Sequence, residues 1–312
     1  MMQSAVQNKM PKQVDPSLYR VEFKAMGSAC EVVIAAAHQE EAMHCIELAI
    51  NEVRRIEEKY SRYQINSIVS RINSAAGLDW VECDDETLSL FNYADTLFQI
   101  SDRLFDITSG VLRHAWDFKK PVLASQGTLN SLAELIDWSC VERKDQHIKL
   151  PKVGMEIDFG GFGKEYAVDR VATILVSKGL KHGYVNLGGD LRAIGPKPNG
   201  DAWIMGIQDP RNQDGLIGNL PLTVGALATS GDYEKFFELN GQRYCHIMSP
   251  RTCKPVNFWR SVTILAPLSI TAGTYTTIAM LKEADGLTWL NESEMPYLAI
   301  DHNGEIYHKT DI

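Results

Sequence analysis

The chain has 312 residues, 45% of them hydrophobic and 23% charged, which is the usage of an ordinary folded domain. That composition excludes a disordered chain, a collagen-like repeat and a coiled-coil rod. With 31 basic against 40 acidic residues the formal net charge is −9, which argues against a nonspecific grip on nucleic acid or an anionic membrane.

The six cysteines, Cys30, Cys45, Cys83, Cys140, Cys245 and Cys253, are too dispersed for a disulfide framework, and none forms a C-x-x-C pair. Cys245, His246 and Cys253 lack the second ligand pair of a tetrahedral zinc site. Reduced thiols imply the cytoplasm. The opening MMQSAVQNKMPKQVDP has no apolar core of the ~7–15 residues a secretory signal needs. No run reaches the ~18 apolar residues of a membrane span. A soluble, cytoplasmic protein is expected, with residues 1–18 a flexible tail and 19–312 one domain.

VEFKAMGSACEVVIAA reads as two strands joined tightly at Met26-Gly27-Ser28. From His38 to Tyr60, the residues Ala42, Ile46, Ala49, Val53, Ile56 and Tyr60 recur at threes and fours, the period of an amphipathic helix. A second helix is expected from Asp85 to Ile100, capped by Asp84 or Asp85, with Leu88, Phe91, Leu97 and Phe98 inside. Residues 119–130 read as loop. Val153 to Phe159 reads as a strand entering Gly160-Gly161-Phe162-Gly163, and helix resumes from Lys164 until Gly179 ends it. Strands follow at Tyr184–Ile194, Trp203–Ile207, Leu222–Thr229, Arg243–Met248 and Ser261–Ala266. Next come a helix over Thr271–Glu283, a shorter helix, and a closing hairpin around Asn303-Gly304. Strands and helices mix without a regular βαβ alternation, so the expected class is α+β, with mixed sheets and flanking helices in a single two-lobed domain.

Three segments could carry chemistry. In IDFGGFGKEYAVD (157–169), glycines precede a helix whose first turn holds Lys164, which suits a diphosphate cradle or simply tight packing. It is not a Walker A loop, because Asp158 and Glu165 occupy the wrong positions. VNLGGDLRAIG (185–195) breaks a strand at Gly188-Gly189, either against a ligand or as a plain bulge with Asp190 capping a turn. ATSGDYEKFFELNGQRYCHIMSPRTCKPV (228–256) places His246 on a strand, where a histidine is either structural or catalytic.

Taken in order, Met26-Gly27-Ser28, YSRYQINSIVSRIN (60–73), LFDITSG (104–110) with Trp116, the two glycine segments, ATSGDYEKFFE and RYCHIMSPRT resemble the FAD:protein FMN transferase family, of the ApbE type. The resemblance runs from about Met26 to Glu283. It implies FAD bound in a cleft, Mg²⁺ polarising the diphosphate, and FMN passed to a threonine of a target flavoprotein with release of AMP. It also implies that Met26, Tyr63, Leu104, Phe105, Asp106, Asp158, Lys164 and Ile247 line the flavin nucleotide. Lys164 would face phosphate, Tyr63 would stack or donate, and Asp106 and Asp158 would accept from ribityl, ribose or adenine groups. The backbone carbonyl of Gly161 would help hold the metal, and His246 is the catalytic candidate.

The chain departs from the family pattern near its end. The family's last motif carries a metal-binding aspartate and, four residues on, a threonine; here Gly273 and Thr277 stand at those positions. Ser249 stands for an acid, Cys253 for a turn glycine and Ile65 for a proline. The expectation is a transferase, with a weakened metal site. The alternatives are a protein that keeps FAD without transferring FMN, or one that uses the flavin for redox chemistry.

Overall fold

Alternating burial along the first strands starts the main sheet. The computed structural model of the protein describes residues 11–15 and 17–310. Strand β1 (Lys12–Asp15) pairs antiparallel with β2 (Leu18–Ala25), so part of the stretch expected to be a loose tail is an edge strand, while residues 1–10 lie outside the described residues. On β2, Tyr19, Val21 and Ala25 point inward. The chain then reverses at Met26-Gly27 into β3 (Ser28–Ala35), with φ of 52° and 71° at the two turn residues. Positive φ at both positions gives the turn a twist matching that of the strands.

Helix α1 (Gln39–Tyr60) buries all six residues of the expected stripe. A short α2 (Ile68–Ser74), capped by Ser67, and the two-residue β4 (Val81–Glu82) lead to α3 (Asp85–Ile100), which Asp84 caps by accepting from the Thr87 amide. A 3-10 turn spans Ile107–His114. Helix α4 (Gln126–Ala133) begins inside the stretch expected to be loop, because Ser125 caps it. After β5 (Glu142–Lys144) and β6 (His147–Lys149), the strand expected over 153–159 does not form. Its backbone bonds go elsewhere: Asn73 pairs through its side chain with both the amide and the carbonyl of Ile157, and the Asp158 amide donates to the Ile107 carbonyl.

Helix α5 (Gly163–Ser177) follows, then β7 (Gly183–Leu187) and β8 (Asp190–Gly195). The glycine pair between them is therefore a hairpin turn, with φ of 66° and 97°, and not a bulge within one strand. The remaining elements are β9 (Trp203–Asp209), β10 (Asn212–Leu222), β11 (Gly225–Gly231), β12 (Phe236–Leu239), β13 (Gln242–Cys245), β14 (Trp259–Ala266), α6 (Ser269–Lys282), α7 (Gly286–Glu292), β15 (Tyr297–Asp301) and β16 (Ile306–Lys309).

Nine strands form one antiparallel sheet in the order β1-β2-β3-β7-β8-β11-β14-β15-β16. Val32 and Ile34 of β3 face a large core shared with α1, α5 and α6, while Val33 faces a second core with Trp203 and Met205 of the β9–β10 hairpin. Helices thus cover one face of the sheet and a hairpin the other. A third, smaller core joins Leu112, Trp116, Leu129, Phe237 and Cys253. The architecture is α+β, as the mixed pattern of elements implies.

Candidate functional site

The start of α5 gathers the glycine-rich segments. Lys164 in its first turn extends to Asp190, with Nζ 2.5 Å from Oδ2, and Asp190 is buried at the start of β8. Two hairpin turns close over this pair. A Cβ on Gly188 would lie 2.8 Å from the Ser28 side chain and 3.9 Å from Lys164 Cδ, and Met26 Cε lies 3.9 Å from where a Gly163 Cβ would stand. Burial alone would lower the Lys164 pKa; the Asp190 and Glu165 charges more than reverse this and hold the ammonium protonated. Burial raises Asp190, and Lys164 opposes it. A cleft of about 220 Å³ runs from the Gly188-Gly189 turn, Tyr233 and Glu234 towards Met205 and Gln208 of β9; Lys164, Asp190 and His246 do not line it.

His246 lies just past the end of β13, anchored by its amide donating to the Lys235 carbonyl. Its Nδ1 is buried without a hydrogen-bond partner. Burial, with the positive charges of Lys235 and Lys164, lowers its pKa to about 4, so the ring is neutral at physiological pH. Ile247 follows, buried, with its carbonyl taken by the Val256 amide. In the turn beyond, Cys253 has φ 56°, the left-handed conformation that glycine adopts without steric cost, so its place as a stand-in for a turn glycine has a physical reading.

A second group surrounds Asp158. Arg62 pairs with it at 2.7 Å and lies over the Tyr63 ring, 5.1 Å from the centroid. Tyr63 is 79% exposed, so its other face is open to a planar ligand. Leu104 and Phe105 are buried, and Phe105 presses on the backbone of Gly161, where a Cβ would stand 2.8 Å from the ring. Only glycine admits that contact. Asp106, expected to accept from the ligand, is turned inward instead. Its Oδ1 accepts from the Thr108 amide and hydroxyl at 2.7 and 2.6 Å, and its Oδ2 from the Trp138 amide at 3.0 Å. It holds the LFDITSG turn in shape, because a buried carboxylate takes the nearest donors.

Helix α6 completes the site. It begins at Ser269, two residues before the expected start, so Gly273 lies in its second turn and not its first. Thr277 Oγ1 lies 3.2 Å from Ser230 Oγ, which also meets Thr276 at 2.8 Å. The start of α6 is fixed by Asp169 of α5, whose two oxygens accept from the Ser269 and Ile270 amides at 3.0 and 2.9 Å.

Three residues of this site were not singled out as ligands by the sequence: Arg62, Asp190 and Glu165. Glu165 had a legible signal. It lies on the same stripe as Val168, Ala172 and Leu175, so a charge occupies the buried face of α5. Its Oε2 is buried and has no hydrogen-bond partner. Burial, then the Asp190 charge, push its carboxyl well above the usual range. Among the described residues, no three His, Cys, Asp or Glu side chains converge as a ready-made metal cluster.

Known proteins share this fold. The crystal structure of the ApbE protein from Thermotoga maritima superposes with a TM-score of 0.86 at 30% identity, over 94% of this chain and 97% of that one. The flavin transferase ApbE from Vibrio cholerae superposes at 0.84 with 23% identity over the same shares, a likeness of fold. In sequence, the FAD:protein FMN transferases of Vibrio cholerae and Haemophilus influenzae are each 28% identical, over 80% and 82% of this chain and 76% and 75% of theirs. With its residues 26–299 matching the model of the ApbE family, this chain belongs to that family.

Proposed function

We propose that this chain is a flavin transferase, which binds FAD and transfers its FMN half to a threonine of an acceptor flavoprotein. In that step the threonine Oγ–P bond forms, the bridging P–O bond breaks, and AMP leaves with the bridging oxygen. The observation that carries the reading is the neutral His246, with a free buried Nδ1, beside the Lys164–Asp190 pair.

Each residue has a task that its setting supports. The His246 ring takes the proton of the attacking hydroxyl, which a neutral imidazole can do and an imidazolium cannot. Lys164 presents a fixed positive charge to the diphosphate, and Asp190 positions it. Met26, Leu104, Phe105 and Ile247 form apolar walls, Tyr63 offers an open ring face, and Asp158 with Arg62 offers polar contacts. Asp106 acts by shaping its turn. The Gly161 carbonyl and the Thr277 hydroxyl are hard oxygen donors suited to Mg²⁺, which when bound would supply Lewis-acid polarisation of the diphosphate.

A net charge of −9 supports partners other than nucleic acid or an anionic lipid surface. Among the described residues no helix is long and apolar enough to cross a membrane. All six cysteines are free, which supports a reducing, cytoplasmic setting.

Incubation with FAD, Mg²⁺ and a candidate acceptor, followed by chromatography for AMP and intact-mass analysis of the acceptor, tests this reading. AMP release with an acceptor gaining one FMN is expected. Retained FAD with no AMP would favour a carrier instead.

A further inference from the structure

Gly273 and Glu165 occupy one space between α6 and α5. A Cβ built on Gly273 would lie 2.5 Å from Glu165 Cγ and Oε1 and 2.9 Å from Cδ, so no side chain fits at 273 while the carboxyl stays where it is. We propose that the Glu165 carboxylate, entering from α5 the space that Gly273 leaves open on α6, is the charged ligand of a divalent cation in this chain, with the Thr277 hydroxyl beside it. The proposal rests on the reading of this site as a flavin-nucleotide site.

The pairing of the two helices sets this up. Asp169 clamps the amides of Ser269 and Ile270, fixing the antiparallel register of α5 against α6. Four residues back along α5 and about four forward along α6, Glu165 meets Gly273. One further turn of α6 sets Thr277 on the same face, towards the start of α5.

The chemistry argues for a cation. Glycine within a helix costs up to ~1 kcal/mol relative to alanine, yet even the alanine methyl would collide with this carboxyl. A buried carboxylate oxygen without a donor is costly and needs a positive partner or a proton. Lys164, whose charge acts on this carboxyl, makes its ion pair with Asp190 instead. A hard divalent ion favours oxygen donors of the kind present here, one carboxylate and one hydroxyl, with bound waters or phosphate oxygens completing its shell. The carboxylate charge that the sequence lacks at 273 would thus reach the site from the facing helix.

The test uses the full-length protein and Mn²⁺ as the probe, counted by the electron paramagnetic resonance of free ion, with and without FAD. The natural chain is expected to bind one Mn²⁺. Glu165→Gln, of the same shape but uncharged, should weaken it by at least about tenfold. Moving the charge, as Glu165→Gly with Gly273→Asp, should bring binding back towards the natural value. Gly273→Asp alone should bind Mn²⁺ more weakly than the natural chain, because its side chain displaces the Glu165 carboxyl. If Glu165→Gln does not fold, the exchanged pair still decides the matter against the natural chain. Equal Mn²⁺ affinity in the natural chain and Glu165→Gln, loss of binding in a folded exchanged pair, or no binding by the natural chain up to millimolar Mn²⁺ would overturn the proposal. FAD binding is measured separately in EDTA by flavin fluorescence. Its failure would count against the flavin site, while the Mn²⁺ comparison without FAD would still judge Glu165.

Discussion

The protonation of His246 ties one side chain to a pH profile. Its pKa is lowered to about 4 by burial and by Lys235 and Lys164, so the base is free at all pH values well above that. AMP release should accordingly show no loss attributable to this group from pH 8 down to 6, and should fall only as pH approaches 4. His246→Ala should lower the rate by roughly 10²–10⁴, the span of general base catalysis, with FAD affinity little changed. Parallel rate and fluorescence measurements check both. Lys164 makes a different prediction. Removing it leaves Asp190 buried and unpaired, so Lys164→Met should lose stability as well as affinity. In a Lys164→Met, Asp190→Asn background, which removes both charges, FAD binding should still weaken by about 1.5–3 kcal/mol, the worth of a charge-assisted contact. Unchanged affinity in that double variant would remove Lys164 from the diphosphate.

Among the elements, α6 depends on one carboxylate. Asp169 supplies acceptors to two amides at the first turn of α6 and pairs with Arg192 of β8 at 3.1 Å, joining two helices and the sheet. Asp169→Ala should therefore destabilise the protein by about 2–3 kcal/mol, read from denaturant unfolding, because it removes the cap and leaves buried amides unpaired. It should also weaken Mn²⁺ binding, since Gly273 and Thr277 ride on α6. Spacing alone shows Asp169 only as the last residue of a motif. Its role comes from a helix a hundred positions later in the chain. The unformed strand at 153–159 has the same origin: Asn73 and Ile107, distant in sequence, take backbone groups that a ladder would have used.

For the whole molecule, an ion-pair network ties α1, α3 and α5 together. Glu86 accepts from Arg55 and Lys59 of α1 and from the Tyr166 hydroxyl of α5, and Arg55 and Arg170 both meet Glu52. The Arg55 hydrogen bonds, against the cost of burial and helped by Lys59 and Tyr166, hold Glu86 far below the usual carboxylate range. Its folded pKa is thus below its unfolded value of about 4.3. The stability it contributes is complete above the unfolded pKa and is lost as pH falls towards the folded one. Glu86→Gln should flatten the fall in unfolding free energy between about pH 5 and 3, measured by urea titration at each pH. A profile parallel to that of the natural chain would show that the network does not set acid stability.

Some features of this protein depend only on neighbours along the chain, and these are legible without coordinates. The stripe of α1 follows from residues three and four apart, the reversal at Met26-Gly27 from a glycine in a short turn, and the α+β class from the mixture of periods. The order of motifs was enough to bring the family into view. What the tertiary structure decided is which charges meet. Lys164 is committed to Asp190, Asp106 turns inward to Thr108 and Trp138, and Arg62 joins Asp158 to Tyr63. Above all, the open position at Gly273 and the buried carboxyl of Glu165 stand more than a hundred residues apart in the chain, and only the packing of α5 on α6 brings them together. Hydrogen-bond and charge partners are chosen by distance in space, and no local period carries that information.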